Sequence, residues 1–235
     1  MGAGSLAGGV SMGGGSRKQE SMWGGICGIL TGILFVATFA VAYNFPAGPS
    51  QADATLAGFD SLRPSFLAAA VLIGLAAVFG IPFYSELRNA FAGKDDFLIG
   101  AATLFSIVGI VITAVGFIGE VIALDSLSLA YGAGGVSRTV AVVVAQAVIG
   151  FGNVVIFGFL VLVAGVGVYG YVTIRGRRFP RWLGAVGVLA AILSLVGTLP
   201  VSGTFVLFIV AFVLIFVWIF ATSGYLWRSS IGAER

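Results

Sequence analysis

The chain has 235 residues, of which 59% are hydrophobic and 9% charged, with a mean hydropathy of +1.12. A water-soluble domain carries about 25% charged residues, so the composition defines an integral membrane protein. Histidine is absent and Cys27 is the single cysteine. These absences exclude an internal disulfide and leave the usual haem, copper and zinc ligand sets unassembled, so no metal or cofactor is expected.

Residues 1–21 hold glycine, serine and the pair Arg17-Lys18 without apolar periodicity, and read as a disordered cytoplasmic tail. A first uncharged run, about 22–43, is long enough to span a bilayer; Ala40-Val41-Ala42 also resembles a signal-peptide cleavage site, but the run exceeds a typical h-region. On it Gly24, Gly28 and Gly32 recur every four residues, two successive small-xxx-small steps on one face. The second span is read as 64–85, starting at Pro64. The third, 97–119, follows Lys94-Asp95-Asp96, where Asp95 or Asp96 supplies the N-cap, and carries Gly109 and Gly116 seven apart.

The fourth run, 140–174, is about 52 Å long as straight helix, against a hydrocarbon core of about 30 Å. Too long to cross once and too short to cross twice, it must tilt, protrude or bend, with Gly150 and Gly152 as the natural joint. Gly150 and Gly158 lie eight apart along it, and Gln146 and Asn153 seven apart on one helix face. The fifth and sixth spans, 182–199 and 203–227, precede a cytoplasmic tail at 228–235. The reading is an all-α membrane protein, a six-transmembrane-helix bundle with glycine-rich packing faces.

Basic residues orient it. With six spans and the first tail inside, Arg17, Lys18, Arg88, Lys94, Arg175, Arg177, Arg178, Arg181, Arg228 and Arg235 fall on the inner side, and only Arg63 and Arg138 outside. Both termini are therefore expected in the cytoplasm and the chain in the plasma membrane, with Trp23, Tyr43, Tyr84, Trp182, Tyr225 and Trp227 as interface anchors. Orientation accounts for the basic balance, so no nucleic-acid partner is expected. The loop with Arg175, Arg177, Arg178 and Arg181 reads first as a stop signal and second as a lipid contact.

Two features admit a functional reading. The glycine faces serve either packing within one bundle or a homo-oligomer or a docking face for another membrane subunit. Glu120 lies about 36 Å along the third helix from Asp96, at the expected outer boundary, where a carboxylate can snorkel to water. Alternatively, Glu120 with Arg63 or Arg138 and Gln146 or Asn153 forms an outward polar pocket for a cation or small polar ligand. Catalysis is not expected: no pair of carboxylates lies at depth, no histidine base exists, and no phosphate-binding glycine loop with its lysine occurs. The leading expectation is a non-enzymatic accessory or assembly subunit or sensor, and the alternative a small transporter or ligand-binding channel around Glu120.

The stretch Arg175-Gly176-Arg177-Arg178-Phe179-Pro180-Arg181-Trp182-Leu183-Gly184, followed by Gly187-Val188-Leu189 and Leu195-Val196-Gly197, resembles a prokaryotic family of six-helix membrane proteins defined by a domain of unknown function. In that family an inner loop of the form R-x-x-x-P-R-x-L-G precedes a small-residue helix. Pro82-Phe83-Tyr84-Ser85-Glu86-Leu87-Arg88 is similar to its Leu-Arg exit from the second helix. The resemblance implies six-helix topology and no established activity, so it assigns no functional residue.

Overall fold

A computed structural model describes residues 14–42, 49–91, 96–134, 136–150, 152–176, 179–199 and 204–231. Among them there is no strand. The elements in chain order are α1 (Gly14–Val41), a 3₁₀ turn (Pro49–Gln51), α2 (Ala52–Phe91), α3 (Asp96–Gly132), α4 (Arg138–Gly150), α5 (Asn153–Arg175), α6 (Arg181–Gly197) and α7 (Thr204–Ile231). Four of these helices, and α4 and α5 taken as one stretch, make five segments long and apolar enough to cross a membrane; α6, with 17 residues, is apolar but shorter. The chain is a multi-pass helical membrane protein.

Each of α1, α2, α3, α5, α6 and α7 packs on the next, and α7 returns to α1, closing a six-helix ring. Neighbours run antiparallel. Ser21 near the start of α1 donates to the Leu226 carbonyl near the end of α7 at 3.0 Å, and the Gly24 end of α1 lies beside Glu86 near the end of α2. Helix α4 is not a member of the ring. It packs lightly on α2, α3 and the 3₁₀ turn.

The helices outrun their expected bounds. Residues 14–21, expected as part of a disordered tail, form the first two turns of α1, and residues 1–13 lie outside the described residues. Helix α2 starts at Ala52 rather than Pro64 and passes through both Pro64 and Pro82. A proline inside a helix removes one backbone bond, which membrane bundles tolerate where neighbours pack against the gap. Helix α3 continues to Gly132 rather than ending near Gly119. At 40 and 37 residues these two helices are about 60 and 55 Å long, twice the hydrocarbon thickness. Their far ends, with α4, therefore form a helical extension. Helix α7 likewise runs on to Ile231, past the expected start of a tail at 228.

The segment expected as one span over 140–174 is two helices, broken at Gly150 to Gly152. Gly150 closes α4 and Gly152 is the N-cap of α5, with φ −56° and ψ −18° and no side-chain cap. Gly150 and Gly158 thus belong to different helices, as do Gln146 and Asn153, and neither pair shares a helix face.

Beyond the break, α5 lies close along α3. A Cβ on Gly109 would overlap the backbone nitrogen of Leu162, and one on Gly158 would stand 2.6 Å from the Thr113 amide nitrogen. Gly24 and Gly28 face Glu86 and Phe83 of α2, Gly28 also meets Ser223 of α7, and Gly32 faces Phe220 of α7, so this stripe is filled from within the chain. Gly109→Ala should destabilise the protein by about 1–3 kcal/mol, the usual result of overpacking a tight contact. Gly100→Ala, where a Cβ meets nothing within 4 Å, should be neutral or slightly stabilising; thermal unfolding in mild detergent measures both.

Candidate ligand groove

Where α4 packs lightly against α3, the chain leaves a groove of about 730 Å³. Two ridges of α3 form its floor: Val111, Val115 and Gly119 on one, and Ile112, Gly116 and Glu120 on the other. Each steps by four residues, the spacing that stacks side chains along a helix face. Val143, Val144, Ala147 and Val148 of α4 and Val154 of α5 make the opposite wall. The small residues create the space: glycine at 116 and 119 and alanine at 123 and 147 leave room that larger side chains would fill.

Glu120 is the single ionisable side chain on the lining, and only 7% of it is exposed. A methyl group on Gly152 would stand 3.1 and 3.3 Å from its two carboxylate oxygens, so the carboxylate lies against the uncapped start of α5. That end gathers free N–H groups and the positive pole of the helix dipole. Among the described residues Glu120 makes no ion pair and no hydrogen bond. With α3 continuing twelve residues beyond Glu120, the acid lies within the helix rather than at its end.

The other polar residues grouped with Glu120 on sequence grounds go elsewhere. The Arg63 Nε donates to Asp125 Oδ1 at 2.5 Å, one terminal nitrogen reaches Ser128 Oγ at 3.3 Å, and Asp60 Oδ1 lies 3.1 Å away. Arg138 forms a two-pronged pair with Asp53, at 3.1 and 2.5 Å. Gln146 and Asn153 are exposed. The expected polar pocket is therefore not assembled: both arginines already have carboxylates, and Glu120 faces apolar walls. Of the basic loop, Arg175 ends α5 with its guanidinium 4.4 Å from the Tyr171 ring, Arg181 begins α6 after the extended N-cap Pro180, and Arg177 and Arg178 lie outside the described residues. Asp96 opens α3, while Lys94, Asp95 and Tyr43 are outside the described residues.

A second polar locus lies inside the ring. Tyr84, Tyr169 and Trp218 are its largest fully buried side chains. The Tyr169 hydroxyl bonds to Thr103 at 2.6 Å and donates to the Tyr84 carbonyl at 3.3 Å, while the Tyr84 hydroxyl and Trp218 Nε1 have no partner among the described residues. Tyr84 is thus an interior residue and not an interface anchor. Trp23, Trp182 and Trp227 are exposed, as anchors require. Nothing in either locus indicates catalysis, and among the described residues no three metal-ligating side chains stand together.

Fold and groove together define a multi-pass helical membrane protein with an apolar side cleft that holds one acid. The chain belongs to the family described as Domain of unknown function (DUF4386), whose model matches residues 24–228. No curated protein and no solved structure matches it significantly. The inner-loop pattern named for the family is kept here only in part: Pro180-Arg181-Trp182-Leu183-Gly184 follows it, but Gly176 stands where its first arginine belongs.

The two arginines differ in burial, and this gives a test. The Arg63–Asp125 pair is three-quarters buried on both sides, with 28% and 25% of the side chains exposed, so Arg63→Met should lower stability by about 1–3 kcal/mol through loss of charge-assisted hydrogen bonds. Arg138→Met removes an open, salt-screened pair and should leave the melting temperature unchanged.

Proposed function

We propose that the protein is a non-enzymatic membrane protein that takes a hydrophobic ligand from the bilayer into the α3–α4 groove. The observation that carries this reading is the groove itself, lined by apolar side chains with Glu120 as the one ionisable group among them. Its volume lies within the roughly 300–1,000 Å³ of small-molecule sites. Val115 and Val143 are 64% and 59% exposed, so both walls are open to the side. A binder of this kind serves as a sensor or, if the ligand leaves on the other face, as a small carrier. Docking of another subunit on the α1 glycine stripe has less support, because α2 and α7 of the same chain fill it.

In this reading the chain crosses the plasma membrane six times with both termini in the cytoplasm. Support comes from Arg88, Arg175, Arg181 and Arg228 at the helix ends beside the termini, with Arg63 and Arg138 at the opposite end, a positive-inside distribution. In a Cys27→Ser background, a cysteine at Asp53 should react with an impermeant maleimide from outside and one at Gly176 should not. The reverse pattern inverts the topology.

Photolabelling tests the groove. A fatty alcohol carrying a diazirine, added to the protein in nanodiscs, should mark residues 111–123 and 143–148 above all others, and Ala147→Phe should reduce that labelling by about tenfold, equivalent to about 1.4 kcal/mol of binding. Labelling spread evenly over every lipid-facing helix, unchanged by Ala147→Phe, contradicts the reading.

A further inference from the structure

We infer that the ligand of this groove is a lipophilic organic cation, an apolar body bearing one positive centre that rests against the Glu120 carboxylate. The inference rests on the groove reading above and adds the chemical class. A carboxylate in an apolar surround is expensive to hold without a partner, and buried acids are normally paired or hydrogen-bonded. Glu120 is 93% buried by the same measure that leaves 7% exposed, yet it has no partner among the described residues.

The two arginines at this end of the bundle are committed elsewhere. Arg63 and Arg138, at the same end of the bundle, are bound to Asp60, Asp125 and Asp53, so the structure supplies an acid without a counter-ion. The dipole of α5 meets one side of the carboxylate at Gly152, and the other side belongs to the groove. A ligand that offsets the buried charge must bring a positive group.

The rest of the lining decides which kind of cation. A hard metal ion wants six or more oxygens, or several fixed carboxylates with water, and no such cluster occurs among the described residues. Valine, isoleucine, alanine and glycine instead offer dispersion contact to an apolar body. Anionic amphiphiles meet like charge at Glu120, and neutral ones bring at most a hydrogen bond and leave its charge unbalanced. Charge complementarity thus sets specificity, while the walls supply area.

Three probes of matched shape separate these possibilities: tetraphenylphosphonium, tetraphenylborate and neutral tetraphenylmethane. Binding of each to the full chain in phosphatidylcholine nanodiscs is measured by equilibrium dialysis, with empty nanodiscs subtracted. The phosphonium should bind saturably and at least about tenfold tighter than either other probe. Glu120→Gln should abolish that preference, and Ala147→Phe should weaken the phosphonium itself. If Glu120 serves only to cap α5, Glu120→Gln lowers the melting temperature but keeps the preference, and the inference fails. Equal binding of all three probes to the unaltered protein overturns the cation assignment and leaves the groove reading standing; this arm needs no variant to fold. No saturable binding of any probe overturns both.

Discussion

Between Arg138 and Arg175 lie 38 residues that are apolar almost throughout, about 57 Å of helix for a hydrocarbon core of about 30 Å. The chain meets this constraint by breaking at Gly150 to Gly152, and much else depends on the break. Beyond it, α5 is free to align with α3 and approach it backbone to backbone at Gly109 and Gly158. Before it, α4 packs only lightly on α2 and α3. The groove is the space that this light packing leaves between α3, α4 and the start of α5. Glu120 faces that space because it lies level with the joint, against Gly152.

The same break explains why a buried acid is tolerated. A helix start exposes N–H groups that have no partner within the helix. Gly152 brings no side chain to cap them, and Glu120 supplies negative charge there from a neighbouring helix. The extension formed by the far ends of α2 and α3 with α4 manages its charges differently. There Asp53, Asp60 and Asp125 are matched to Arg63 and Arg138, so helices that outrun the bilayer carry charge without leaving it unpaired.

The all-helical membrane class was legible in the sequence, because uncharged runs of bilayer length leave few alternatives, but the described residues form seven α-helices where six were expected. The ends of α2 and α3 were not legible. Charge marks the edge of a span, so the second span is expected to start at Pro64 with Arg63 outside it, whereas Asp53, Asp60, Arg63 and Asp125 sit on helices, Arg63 reaching Asp125 of α3 and Asp53 reaching Arg138 of α4. A weaker signal did exist: Val121, Leu124, Leu127 and Tyr131 keep helical spacing past Glu120, and extending α3 on that pattern places the acid within the helix rather than at its end. Tyr84 misled for a related reason. An aromatic one turn before Arg88 looks like an interface anchor, but the helix face that carries it turns into the ring, a matter of rotation that no run of hydropathy reveals. Length alone required the fourth run to tilt, protrude or bend, and the glycines at 150 and 152 marked where a bend would fall without choosing among the three. The pairing of Arg63 with Asp125 and of Arg138 with Asp53 was not legible, since it depends on which helices are neighbours.

The central claim, that the chain breaks between α4 and α5 and so opens the groove, is tested most directly by residue-level amide hydrogen exchange in nanodiscs. Asn153 and Val154 should exchange far faster than Leu162 to Val166, because the first turn of α5 lacks preceding helical acceptors while its middle is packed on α3. Uniform protection from Ala145 through Val166 would mean one continuous helix, and would contradict both the joint and the groove that follows from it.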